Sequence, residues 1–385
     1  MQTNQSHIFP QTIGSVGSKR SKSHSSPEQA LEDSGKVRDE FDVIVVGSGS
    51  AGVHVAYPLV DAGLKVAMID GGVERSEDQG KKFEKDFETI RRTEKDQYNL
   101  FLGRDLKGIA PPEGKEVGVI SMAVGNREYV SQKTESFLPI DTKGVQVVQS
   151  LAKGGLSEIW AALCDIFNEE ELEAVGIPKD EMKGNYQEVM NRIGLSGVLE
   201  EYTLQEPLNL NSQAKAILEK EAKLSDREKD GFVVERPLHA VTTKSFKGRE
   251  AFAYKDLEYA ANVGNSIYKP RFTVEELEER QNFNYFPARV VQRITRAGSL
   301  RKVEVKKFTG GKESFLASRV ALAASSLNST RILLKSFSLM KTPVPFITKT
   351  HFIIPSIRLS ALGKRDDYRQ SSLCQLIIKD KKKET

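Results

Sequence analysis

FDVIVVGSGSAG, Phe41 to Gly52, is an apolar run that ends on glycines at the first, third and sixth positions of GSGSAG. The unbroken β-branched stretch Val43-Ile44-Val45-Val46 describes a strand buried on both faces. Gly47, Gly49 and Gly52 then predict, in that order, a tight turn, a close backbone approach to a ligand, and a helix packed on its strand. The pattern continues as a helix over Val53 to Ala62, a stop at Gly63 and a second strand over Lys65 to Ile69. Pro58 falls inside that helix, where the lost bond to the His54 carbonyl costs about 3 kcal/mol unless the helix kinks.

Asp70 closes the second strand about twenty residues after the turn, where a carboxylate can bond a ribose hydroxyl. It can equally serve as a turn or N-cap residue. An acid there argues against a 2′-phosphate and leaves NAD and FAD open, since both carry the adenosine ribose.

The chain has 385 residues, enough for a sizeable core and for two or three domains. Its 57 basic and 53 acidic residues leave a net charge of +4, too balanced to suggest nucleic acid as a partner. Cys164 and Cys374 stand far apart with no CxxC and no His/Cys cluster, so neither disulfides nor a metal site are expected. No run approaches the roughly eighteen apolar residues of a membrane span, and the N-terminus has no apolar signal core. A cytoplasmic protein without a membrane span is the expectation.

Residues 1–39 are rich in Ser, Lys and Gly and are expected to be a disordered tail. Residues 74–98 read as a charged, solvent-facing excursion, and 103–150 as loop with short strands. Helices are expected over Glu169 to Glu201 and Leu210 to Leu224, the second with Ala214, Ile217, Leu218 and Ala222 on one face. From Asn284 the pattern turns to β: NYFPARVVQRI, LRKVEVKKF, a Gly310-Gly311 turn and FLASRVALAA, followed by a short helix over Leu327 to Phe337.

A second glycine segment, KGGLSEIW, runs from Lys153 to Trp160. Gly154 and Gly155 let backbone approach a flat ring or a phosphate, with Ser157 as a donor. Composition alone favours a plainer reading, a Gly-Gly turn capped by Ser157 ahead of a helix with Trp160 in the core.

Taken together and in order, FDVIVVGSGSAG, VAMIDGG, KGGLSEIW, VVQRI and VALAASSLNSTRILL resemble the glucose-methanol-choline family of FAD-dependent oxidoreductases, in its bacterial branch. The resemblance implies an α/β fold: a Rossmann-like FAD-binding domain assembled from discontinuous segments, with a second α+β substrate domain that is incomplete here. The expected division is 40–165 for the first part of the FAD domain, 166–283 for a mainly helical insertion on the substrate side, 284–340 for the returning FAD segment, and 341–385 for the truncated start of the substrate domain with its basic tail. The implied chemistry is oxidation of a small alcohol or sugar by hydride transfer to flavin N5, with an electron acceptor that the residues leave open.

The resemblance places Gly47, Gly49 and Gly52 at the FAD pyrophosphate and Asp70 at the adenosine ribose, with Ser48, Ser50, Ala51 and Gly71 among the cofactor-binding residues. It places Gly154, Gly155 and Ser157 near the flavin and pyrophosphate, Val291 at adenine through its backbone, and Ala324, Ser325 and Asn328 at the return of the chain to the dinucleotide. Ala324-Ser325-Ser326 stands where the family has Ala-Ala-Gly, so a serine is expected to crowd the cofactor. Glu158 brings a negative charge near it. Ile159 precedes Trp160 where some relatives carry a flavin-linked histidine, so the FAD would be non-covalent.

The family's catalytic histidine and its His or Asn partner lie near the end, beyond what this chain matches, so the catalytic base is left unassigned. His239 reads as structural, and His351 as a weak candidate for a polar group near the flavin. Two alternatives remain: a truncated or non-catalytic flavin-binding remnant, and an NAD-linked reductase. The second is disfavoured by the returning VALAASSLNSTRILL segment.

Overall fold

The computed structural model describes residues 34–76, 85–103, 125–141, 147–255, 262–339 and 373–380. The apolar run forms the end of β1 (Ser34–Val46), which leads through the glycine turn into α1 (Ser50–Asp61) and back along β2 (Val66–Ile69). Val43 to Val46 pair in parallel with Val66 to Ile69 on one side and with Arg319 to Leu322 on the other. Flanked on both edges and covered on both faces, these side chains are buried.

β1 begins at Ser34 rather than Asp42, so the tail expected over 1–39 gives its last residues to the sheet. Backbone pairing supplies the reason: Ser34 and Val37 sit opposite Lys312 and Ser314 across two register shifts. Residues 1–33 lie outside the described residues. α1 starts at Ser50, because Ser50, Ala51 and Gly52 form its first turn, and it continues through Pro58. The burial of Val53, Ala56 and Val60 against the sheet outweighs the missing bond.

In the described part of 103–150 there is a 3-10 turn over Gly125–Ser131 and a short helix over Thr134–Phe137, with no strand. Two-residue β3 (Leu163–Cys164) follows. The helix expected over Glu169 to Glu201 is two, α2 (Glu169–Ala174) and α3 (Lys179–Ile193). Gly176, at φ 73°, and Pro178 break it. Then come α4 (Ser212–Glu221), β4 (Phe232–Glu235), β5 (Leu238–His239) and α5 (Pro270–Glu278).

The segment NYFPARVVQRI, expected as one strand, is also two: β6 (Phe283–Phe286) and β7 (Arg289–Ala297). Pro287 and the left-handed Ala288, at φ 57°, separate them. β8 (Leu300–Lys307), β9 (Lys312–Leu322) and α6 (Ser325–Ser336) complete the unit. Of the stretch 341–385, only 373–380 is described, and there β10 (Ile377–Asp380) pairs antiparallel with β4.

The main sheet has six strands in the order β6-β2-β1-β9-β8-β7. β6, β2, β1 and β9 run parallel, while β8 and β7 continue antiparallel. Side chains of the antiparallel end share a core with one face of the parallel part. Val291, Val303, Val305 and Phe315 share a core there with Ile44, Val46, Ala67 and Ile69, and Ile332 of α6 joins it. The other face packs α1 and α5 through Val53, Ala56, Val60, Val274 and Leu277. This is an α/β fold on a mixed sheet with a parallel core. A second core gathers Ala162, Met190, Ile193, Leu238 and Ala240 around α3 and the β3–β5 pair. Among the described residues, no helix is long and apolar enough to cross a membrane and no cluster of His, Cys, Asp or Glu could hold a metal ion.

Candidate functional site

The three motif glycines answer to different constraints. Gly47 has φ 100°, and a Cβ on it would stand 2.6 Å from the Ala323 carbonyl oxygen, where β9 ends beside the turn. A Cβ on Gly52 would stand 1.9 Å from the Gly47 carbonyl oxygen. Both positions are closed by the protein's own backbone. At Gly49, the N-cap of α1, φ is −64° and a Cβ would meet no protein atom within 4 Å. The opening above Gly49 is therefore not required by packing. It faces the first turn of α1, whose N–H groups receive no side-chain cap and form the arrangement that attracts a phosphate.

That opening belongs to a cavity of about 270 Å³, near the lower limit of roughly 300 Å³ for small-molecule pockets. Gly47, Ser48, Gly49, Ser50 and Ala51 line it from the turn, and Asp70 and Gly71 from the end of β2. Gly155 and Ser157 come from the second glycine segment, Val291 from β7, and Ala324, Ser325 and Asn328 from the start of α6. Gly52 and Gly154 stand behind the wall. Gly52 packs under Gly47, while Gly154, at φ 95°, backs onto Glu158 and donates its N–H to Ser48 Oγ at 2.9 Å.

Ser48 links the two glycine segments to Asp70. Its hydroxyl donates to Asp70 Oδ2 at 2.7 Å, and the same oxygen accepts from Gly72 N–H at 2.9 Å and from the Tyr285 hydroxyl at 3.0 Å. Asp70 Oδ1 has only the 3.3 Å contact from Ser48 N–H. Oδ2 is thus saturated and Oδ1 is left as the acceptor for a ligand hydroxyl. Burial raises the Asp70 carboxyl above its ordinary value, and the bonds from Ser48, Tyr285 and Gly72 draw it back. Ser50 and Ser157 share a hydroxyl–hydroxyl bond of 2.8 Å that fastens the second segment to the first turn of α1.

The second segment is a 3-10 turn over Gly155–Ile159, with Ser157 inside it rather than at a helix cap. Trp160 follows it half-buried and donates its ring N–H to the Tyr268 carbonyl at 2.8 Å. Glu158 does not bring its charge to the cavity. It turns into the interior at 2 % exposure, accepts from the Tyr129 hydroxyl at 2.9 Å, and lies 3.9 Å from Lys269 and 3.7 Å from Arg271. Burial first, offset by Glu158, sets the Lys269 ammonium at about 8. Ser325 adopts φ 63°, the left-handed conformation that favours glycine, and is exposed at the cavity.

Several lining residues had no sequence signal. Leu138 and Val148 to Ala152 reach the cavity from a stretch without periodicity, and Arg289 and Arg331 from elements read only for their apolar positions. Arg289 pairs with Glu313 at 2.7 Å. Tyr285, which holds Asp70, arrives on β6 from the far side of the chain. His54 and His239 do not line the cavity. His54, beside Arg192 at 3.1 Å, and His239, 3 % exposed, are both lowered to about 4, chiefly by burial. His351 lies outside the described residues.

No protein-family model matches the chain, and no curated protein matches it. Among solved structures it is similar to p-nitrophenol 4-monooxygenase PnpA from Pseudomonas putida, at 12 % identity and a TM-score of 0.26, covering 77 % of this chain and 43 % of that one. It is also similar to a point mutant of the quinol fumarate reductase FrdA of E. coli, at 11 % identity and a TM-score of 0.29, covering 75 % of this chain and 33 % of the other. The chain therefore spans less than half the length of either.

Proposed function

We propose that the chain binds FAD non-covalently in this cavity and serves an oxidoreductase of the glucose-methanol-choline type, acting on an alcohol or sugar hydroxyl. The observation that carries this reading is the opening above Gly49, bounded by the uncapped first turn of α1, by Asp70, whose Oδ1 accepts one bond of 3.3 Å from Ser48 N–H, and by the returning end of β9. The α1 N–H groups would hold the pyrophosphate and Asp70 Oδ1 the adenosine ribose. The backbone at Val291 would meet adenine. Ser157, fixed by Ser50, would keep the second segment close to the dinucleotide. When bound, the flavin supplies the acceptor for hydride from the carbinol carbon, and the protein's part is to bind, orient and exclude water.

A second reading, flavin binding without catalysis, is favoured by the histidines. Among the described residues, neither His54 nor His239 reaches the cavity to take the hydroxyl proton. The visible spectrum of the purified chain tests both: oxidised-flavin bands that heating releases support FAD, and a colourless chain that cannot be reconstituted with FAD overturns it. Bleaching of those bands by alcohols or sugars without oxygen supports the oxidoreductase. Bands that no donor bleaches support binding alone.

A further inference from the structure

The far wall of the cavity is a face of α6. Asn328 is 8 % exposed and lines the cavity, and its carboxamide makes no hydrogen bond among the described residues. One turn further along the same face, Arg331 also lines the cavity. One of its terminal nitrogens donates to the Phe137 carbonyl at 3.2 Å, its buried Nε has no partner, and it pairs with no carboxylate among the described residues. Arg289, the other arginine of the lining, is already neutralised by Glu313. The α6 helix has no side-chain cap at Ala324, so its first-turn N–H groups add positive potential. Asp70 does not answer this charge, since its contacts are to Ser48, Gly72 and Tyr285. After burial, Arg331 and Lys306 hold the Lys335 ammonium below its ordinary value.

We propose that Asn328, Arg331 and the N-terminus of α6 form a second phosphoryl-binding subsite, so that the two phosphoryl groups of an adenine dinucleotide are divided between α1 and α6. A buried carboxamide at the cavity wall supplies a directional donor, and a guanidinium that meets no carboxylate among the described residues supplies charge. The inference rests on the dinucleotide reading above and adds to it the residues that select for a diphosphate.

Calorimetric titration of the full chain with adenosine, AMP, ADP and FAD tests it. ADP is expected to bind at least about tenfold tighter than adenosine, with AMP between them. Arg331→Gln is expected to weaken ADP and FAD about tenfold, the loss of one charge-assisted bond, and to leave adenosine unchanged. Arg331→Lys should retain part of the affinity. Asn328→Ala, which removes only the carboxamide, should give the same pattern with a smaller loss. Equal weakening of adenosine and ADP in these variants would assign the residues to the base or to the fold and overturn the subsite. Unchanged ADP binding in all three would overturn it while leaving the dinucleotide reading intact. Failure of the unaltered chain to bind either ADP or FAD overturns both.

Discussion

Two strands end at the cavity and each hands over to a helix, β1 to α1 through Gly47 and Gly52, and β9 to α6 through Ala323 and Ser325. In the first turn, glycine stands wherever backbone crowds or φ is positive, and the one glycine that packing does not demand faces the cavity. In the second, a serine takes the left-handed position, and the cavity is met by the side chains of Asn328 and Arg331. One turn presents bare backbone to the cavity and the other presents polar groups on a helix face. Crowding alone therefore does not identify a ligand-facing glycine, because the crowded ones serve the fold.

Substitutions can break this contrast. Gly52→Ala places a methyl group inside the Gly47 carbonyl, and urea denaturation should show a loss of about 3 kcal/mol or more. Gly49→Ala should leave stability within about 0.5 kcal/mol yet weaken FAD binding more than about tenfold, because the methyl group enters the opening. Undiminished binding would mean that no phosphate sits there.

Asp70→Asn should weaken FAD about tenfold through the lost charge on Oδ1, and its effect on stability has the opposite sign. Burial raises the folded carboxyl above its unfolded value, so this group's contribution is complete below the unfolded value and is lost as pH rises through the raised one. Denaturation across the acid-to-neutral range should show that decline in the unaltered chain and a flatter profile in the variant. The smallest effect belongs to the second turn: Ser325→Gly relieves a left-handed serine and should gain about 1 kcal/mol. No gain would mean that the serine hydroxyl offsets the strain.

Legibility followed the range of the forces involved. The β1–α1–β2 unit was readable because its apolar run, turn and helix are neighbours in sequence and each has a local signature. Tertiary geometry hid the rest. NYFPARVVQRI is continuous in β propensity, yet Pro287 and left-handed Ala288 send its two parts to opposite ends of the strand order. Glu169 to Glu201 kept helical composition across a Gly-Ile-Pro break that outweighs it. Asn328 and Ser325 could be nominated from their place after a returning strand. Arg331 as a cavity cation could not, since its significance lies in meeting no carboxylate among the described residues. Glu158 was placed near the cofactor by its position in the motif that the resemblance supplies, whereas the 3-10 turn rotates it into a buried set with Tyr129, Lys269 and Arg271.

The bond from Tyr285 to Asp70 joins residues 215 positions apart. On a ribosome adding about 5–20 residues each second, the glycine turn emerges roughly ten to forty seconds before the residue that holds its acid. Through that interval the Val43–Val46 strand lacks its β9 partner and presents an open apolar edge. The nascent chain is thus most exposed to mispairing before the cavity at the glycine turn can exist. Changes late in the sequence should then show first as lower yield of soluble protein, ahead of any change in what the finished site binds.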